Sequence, residues 1–502
     1  MKRFVVIAAA VALTAAPTVG PRLTPAEQAA LNHISVESLR GHLSFIASDL
    51  LEGRDTPSRG LDVAAEYIAS EFRRAGLEPA FADGSYFQTA AVSRTDAVAQ
   101  QLTIYTDDDR QAIAKSADLV VHADAPLALN DAQVYKLDLG NAAALQTLDP
   151  AVLLHKVLMV DLGPGQWEDW ESLEPLLEAS EVEAVVIVGE RGRALLEPSE
   201  NLFVPGAERP IPRVRVANDA VEDICHALKP GLTSARISLN ITVTSRTVAT
   251  AKNVGAILRG SDPALRNTCV VLSAHYDHLG MKASGEGDRI FSGANDDGSG
   301  TVSVIEIGAA LAAMPAPPRR SVVFVTFFGE EEGLYGSAYF ARHLPCPPAD
   351  TVADINLEQL GRTDTDKGRL VNAIAFTGND FTTIPQEFAS AAEATGVAIA
   401  ENAEIGDDFF ARSDNFSLAV RGIPANTIAV PAMFADYHTV GDKWQKIDYM
   451  NMSRLDRTIA LGLIRVAGDG RPPEWNAQNV KAAGYLASWR RLHGGKPESG
   501  RE

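Results

Sequence analysis

Apolar runs in this chain repeatedly stop at charged loops. VVFVTFF (322–328) is continuously apolar, β-branched and aromatic, which predicts a strand buried on both faces of a parallel sheet. It ends at Gly329, and Glu330, Glu331 and Glu332 follow. TCVVLSA (268–274) reads the same way and leads directly into His275. Between them Val302, Ile305, Ala309 and Ala312 keep helical spacing from about Ser299 onward. Pro315, Pro317 and Pro318 forbid continuation of that helix. The order strand, loop, helix, strand predicts an α/β fold. NVGAILRG (253–260), LVNAIAFTG (370–378) and IPANTIAV (423–430) are further strand candidates. The fold class expected is α/β, with a mixed, mostly parallel central sheet flanked by helices.

Other patterns divide the chain. Residues 1–20 have a basic start (Lys2, Arg3), an apolar run (Phe4–Ala16) and small residues after it. This reads as a signal peptide, because the run is too short to span a bilayer. No second stretch of spanning length follows. Residues 24–88 read as helical: Leu61, Ala64, Ala65, Ile68 and Phe72 share one face, and Gly76 suits the stop. From 110 to 247 short apolar strands (Leu119–Val121, Val157–Val160, Val185–Val188) alternate with proline-containing loops. The division expected is a signal peptide (1–20), an N-terminal helical part (21–109), an inserted domain (110–247), a catalytic domain (248–467) and a C-terminal helix and tail (468–502). Trp475 and Trp489 are expected packing anchors, and the last ten residues read as disordered.

Composition narrows the function. A length of 502 residues at 46% hydrophobic suffices for a sizeable core. A net charge of −20, from 45 basic and 65 acidic residues, argues against nucleic acid and against an anionic membrane surface. Three cysteines (Cys225, Cys269, Cys346) allow one disulfide in an exported protein, but their spacing specifies none.

The chemistry lies at the strand ends. Open α/β sheets place their sites outside the carboxyl ends of the strands. His275 and Asp277, then Asn295, Asp296 and Asp297, then the glutamate triplet all map there. Adjacent acids at a buried strand end are costly unless a cation sits between them. Zinc takes His nitrogen and carboxylate oxygen and keeps a position for water when catalytic. Glu330 and Glu331 are neighbours on extended backbone and point to opposite sides, so one can bind metal while the other faces substrate. Asp277 shares a side with His275 and can orient its imidazole. Taken singly, each motif has an ordinary explanation: a solvated loop end, a turn, an acidic helix start. The ordered set, with strands before its outer members, points to a metal site.

His-x-Asp (275–277), GANDDGSG (293–300) and FGEEEGLYGS (328–337) together resemble the co-catalytic di-zinc aminopeptidase family. That family includes bacterial leucyl aminopeptidases and aminopeptidase Y, with glutamate carboxypeptidase and glutaminyl cyclases more distant. INLEQLGR (355–362) and DYHTVGDKWQKID (436–448) look like its last two motifs. The resemblance implies two Zn2+ ions per chain, held by His275, Asp296, Glu331, Glu358 and His438. Asp296 would bridge them, His275 and Glu358 would complete one site, and Glu331 and His438 the other. Glu330 would be the general base acting on a zinc-bridging water. Asp277 and Tyr437 would assist, Tyr437 at the substrate carbonyl, and Asp414 would support the site. The family usually has aspartate where this chain has Glu358. Arg54 and Arg59 read as structural, and His278 as surface or structural. KVLMVDLG (156–163) and VEAVVIVGERG (182–192) resemble a β-rich protease-associated domain, a lid or a purely structural insert.

The implied activity is an exported peptide hydrolase, periplasmic or secreted, foremost an aminopeptidase, with peptides as its partners and no nucleic acid. Alternatives on the same core are a carboxypeptidase or dipeptidase, a glutaminyl-cyclase-like acyl transferase, and a non-catalytic binding protein. A carboxypeptidase would need a cation at the substrate's terminal carboxylate, with Arg362 and Arg412 as candidates.

Overall fold

The structure is a computed structural model. It describes residues 23–137, 139, 148–162, 173–189, 202–207, 211–365, 368–401 and 406–494. The signal-peptide pattern lies outside them, as does most of the tail expected to be disordered.

The centre of the fold is the parallel set expected from the apolar runs. Cys269–His275 pairs in parallel with Ser321–Phe327 on one side and Thr351–Leu357 on the other, and Thr351–Leu357 pairs in parallel with Ala425–Ala429. Every residue of Cys269–His275 and Ser321–Phe327 is buried, as strands covered on both faces must be. Antiparallel neighbours close the set: Ala373–Phe376 beyond Ala425–Ala429, and Gly231–Leu258 beyond Ser321–Phe327. The sheet is therefore mixed and mostly parallel at its core. The helix Gly300–Ala312 is buried through Leu311, so its apolar periodicity understates how enclosed it is.

The N-terminal helices pack on this sheet. Leu61, Ala64, Ala65, Ile68 and Phe72 of Arg59–Arg74 are each 3% exposed or less. They join one large core with the central strands and the helix Tyr449–Gly468. Trp475 is buried on the opposite face, stacks on Tyr485 and donates its indole N–H to the Gly422 carbonyl at 2.9 Å. Cys269 and Cys346 form a disulfide, and Cys225 is buried and free.

The segment read as an insert has its own parallel strands. Leu127–Leu137, Val157–Asp161, Ala184–Val188 and Arg213–Val216 pair in that order around separate apolar cores. Its connection to the rest is not a linker. Gly231–Leu258 runs unbroken for 28 residues and pairs with Phe87–Tyr105 along most of its length. The boundary expected between residues 247 and 248 falls inside that strand. Among the described residues, no helix is long and apolar enough to cross a membrane.

Candidate metal centre

The parallel strands all end on one side, and the loops leaving them converge. His275 is the last residue of its strand. Gly329, at φ +66°, turns the chain after Phe327–Phe328 so that Glu330 and Glu331 follow at the same level, a backbone shape natural to glycine. Glu358 follows Leu357, and Asp296 lies in the loop before Gly300–Ala312. The long loop after Ala425–Ala429 brings His438, at φ +53°. Left-handed non-glycine backbone persists where its surroundings hold it, often at functional sites.

The five residues expected as ligands come together around Asp296. Its Oδ1 lies 3.5 Å from His275 Nε2, and its Oδ2 lies 3.1 Å from His438 Nε2. His275 Nε2 is also 3.5 Å from Glu358 Oε1, and His438 Nε2 is 3.2 Å from Glu331 Oε2. Two donors on one tetrahedral zinc, each about 2.1 Å from it, stand about 3.4 Å apart. All four separations have that size. Asp296 thus faces one histidine with each oxygen, the arrangement of a carboxylate shared by two cations. His275 Nε2, Asp296 Oδ2, Glu331 Oε1 and Glu358 Oε2 are buried without hydrogen-bond partners, a state that a cation among them would relieve. The field is strongly negative. Burial opposes protonation of His438, yet Asp296 and Glu331 push its imidazole up to about 10. The donor set therefore fits two metal ions.

Asp297 is a competitor for Asp296. It offers an atom within 4.8 Å of donors on His275 and Glu358. Its Oδ1, however, accepts from the Gly300 and Gln359 backbone N–H groups at 2.9 and 3.1 Å. That oxygen serves the helix start and the strand-end loop while Oδ2 stays without a partner; it is Asp296 whose two oxygens face the two histidines.

The assisting residues separate by depth. Glu330 lines both cavities at the site, with Oε2 3.9 Å from His275 Nε2. Burial, reinforced by Glu331 and Glu358, holds its carboxyl well above the usual range. Tyr437 lines both cavities too and stacks on His438 with ring centres 3.9 Å apart. Asp277 is fully buried and behind the site. It lies 3.5 Å from His275 Nδ1 and accepts from the Glu330 and Glu331 backbone N–H groups at 3.2 and 3.4 Å. Asp277 is therefore a positioning residue that ties two strand ends together. Asp414 is also fully buried, and it is the adjacent Ser413 that donates to Glu358 Oε1, at 2.7 Å.

Several contributors carry no readable sequence signal. Asp442 accepts from the Asn295 and Asp296 N–H groups. Arg54 is fully buried and donates to the carbonyls of Ile46, Tyr276, Ser292 and Gly293 at 2.6 to 2.9 Å, bracing the metal loops from below. That agrees with its structural reading. His278 is no surface residue: it is buried with Nδ1 2.7 Å from Glu331 Oε1.

Two cavities meet at Glu330, Arg412, Tyr437 and His438. The smaller has apolar walls from Phe409, Ala429, Val430 and Met433. The larger runs toward the insert, past Leu177, Glu178 and Ile211.

Residues 253–462 match the model of peptidase family M28. The matched M28 segment contains every expected ligand. A probable zinc metalloprotease of Leptosphaeria maculans is 32% identical over 117 residues, covering 23% of this chain and 26% of its own. Leupeptin-inactivating enzyme 1 of Streptomyces exfoliatus is 26% identical over 218 residues, 43% of this chain and 44% of its own. The chain thus spans between a quarter and under half the length of these curated relatives. A solved aminopeptidase from Aneurinibacillus sp. strain AM-1 is 18% identical, covers 87% of this chain and 95% of its own, and superposes with a TM-score of 0.47.

Proposed function

We propose that the protein is a zinc-dependent peptide hydrolase of the M28 type, acting as an aminopeptidase. The observation that carries this reading is Asp296 with one histidine at each oxygen, flanked by Glu331 and Glu358. His275, Asp296 and Glu358 would hold one zinc, and Asp296, Glu331 and His438 the other. When bound, zinc supplies Lewis acidity that makes water a nucleophile near neutral pH and polarises a carbonyl. Glu330 borders both cavities, its nearest histidine contact being the 3.9 Å approach to His275, so it can take a proton from water and return it to the leaving amine. Tyr437 faces the same space, where its hydroxyl can donate to the substrate carbonyl.

The aminopeptidase reading rests on the motif resemblance, and the smaller cavity is compatible with it: beside the expected ligands Asp296, Glu358 and His438, its charged side chains are Glu330 and Arg412. Arg362, the other candidate for a carboxylate anchor, is already held by Asp364 and Asp436. Export is supported by the Cys269–Cys346 disulfide, a bond typical of oxidising compartments.

The test is a panel of aminoacyl anilides and short peptides, free or blocked at the N-terminus, assayed with chelator and zinc add-back. Zinc-restored cleavage confined to free N-termini is expected. Cleavage of blocked peptides with free carboxyl ends would move the assignment to a carboxypeptidase anchored by Arg412. Zinc binding without turnover of any substrate would leave a binding protein.

A further inference from the structure

His278 sits behind the metal centre, three residues after the expected ligand His275, and the mechanism above does not use it. Its side chain is inaccessible to solvent. It borders neither cavity at the site. Its backbone N–H donates to the Arg54 carbonyl at 3.3 Å. On one side the loop carrying Asp296 crosses the ring so closely that a Cβ at Gly293 would lie 2.5 Å from His278 Cγ. On the other side Nδ1 meets Glu331 Oε1 at 2.7 Å. The ring thus fills the space between the two loops that carry Asp296 and Glu331.

Two roles compete. His278, Asp296 and Glu331 offer donor atoms within 4.8 Å of one another, so His278 can be read as a metal ligand. Distance decides against this. Two donors sharing one tetrahedral zinc stand about 3.4 Å apart, as His438 does from Asp296 and Glu331 at 3.1 and 3.2 Å. The 2.7 Å separation of His278 Nδ1 from Glu331 Oε1 is too short for a shared ion and leaves the two atoms in direct contact, without the alignment of a hydrogen bond. The two histidines also approach different oxygens of Glu331, His278 at Oε1 and His438 at Oε2.

We propose that His278 is a positioning residue for Glu331. Its ring abuts Oε1, with Nδ1 at 2.7 Å, and so fixes the carboxylate with Oε2 pointing to the ion shared with Asp296 and His438. The inference rests on the reading of Glu331 as a metal ligand. It concerns the Glu331–His438 half of the centre and leaves the His275–Glu358 half untouched.

The test measures zinc stoichiometry and affinity by competition with a chromogenic chelator, independent of turnover. Wild type is expected to bind two zinc ions. His278→Leu, with similar bulk and no polar atom, should weaken one of the two ions about 10- to 100-fold and leave the other unchanged. His278→Asn, which places an amide N–H close to the position of Nδ1, should stay near wild type. Circular dichroism and Tm of the metal-free proteins separate these effects from misfolding, and His278→Ala replaces the leucine variant if that one aggregates. Equal affinities in wild type and His278→Leu would overturn the positioning role alone. So would equal losses in the leucine and asparagine variants, which would indicate packing. One histidine fewer per pair of zincs in the X-ray absorption spectrum of zinc-loaded His278→Asn would make His278 a ligand instead. A wild-type protein that binds no zinc would sink the metal reading and this inference together.

Discussion

At the scale of single residues, the site separates groups that face the cavities from groups that hold them. Glu330 faces both cavities and Ser413 lines the smaller one, whereas Asp277 and Asp442 act from behind through the strand ends and loops. Glu330→Gln keeps the shape and removes the base. It should lower kcat/KM at least ~1,000-fold, within the range lost with a general base, while zinc content stays the same. Near-normal turnover of that variant would show that another group moves the proton. The Ser413 contact orients the glutamate that this chain has at position 358. The hydroxyl holds Oε1, and Oε2 has no hydrogen-bond partner.

At the scale of elements, the strand Thr351–Leu357 carries a polar chain through the core to the site. Ser273 Oγ donates to Asp354 Oδ1 at 2.8 Å and also contacts Asn356, whose amide donates to Ser413 Oγ at 2.7 Å. Ser413 in turn reaches Glu358. Asp354 is fully buried at the start of this chain, and burial pushes its carboxyl up to about 7. A raised acid favours the folded state fully only below its unfolded value, and that advantage is lost as pH rises through about 7. Asp354→Asn keeps an oxygen for Ser273 and removes the ionisation. Its Tm should exceed wild type at pH 8, by an amount corresponding to a few kcal/mol at most, and the gain should shrink at pH 5. A Tm at pH 8 equal to or below wild type would mean that Asp354 is compensated in its ionised form.

At the scale of the whole molecule, two ties connect distant parts. The Cys269–Cys346 disulfide closes a loop of 77 residues that contains Asp296, Glu330 and Glu331. By loop entropy such a bond contributes about 4 kcal/mol. Reduction under native conditions should therefore lower Tm by several degrees and activity in parallel with it. An unchanged Tm would show that packing alone holds this loop. The insert is tied by Glu178, which pairs with Arg342 and Arg421 at the rim of the larger cavity. Arg342 also donates to the Ala207 carbonyl, and Tyr335 to that of Leu202. Glu178→Ala should speed limited proteolysis within the insert and raise KM for longer peptides more than for aminoacyl anilides. Equal KM changes for both substrates would indicate that the insert does not border the leaving peptide.

What the sequence determined by itself is the set of strand ends and the ligand types placed on them. Buried parallel strands must be continuous apolar runs, so VVFVTFF and TCVVLSA declared both their structure and the carboxyl ends where His275, Glu330 and Glu331 stand. Residue type and order sufficed there because the signal is local: hydrophobic period, punctuation by glycine and proline, and donor chemistry. Only the tertiary structure decided what depends on approach through space. It set His278 against Glu331, brought Ser413 to Glu358, and paired Arg362 with Asp364 and Asp436. It also ran one strand through the boundary expected at 247 and 248. Those outcomes hinge on separations of about an ångström between residues up to hundreds of positions apart, and periodicity carries no information at that distance.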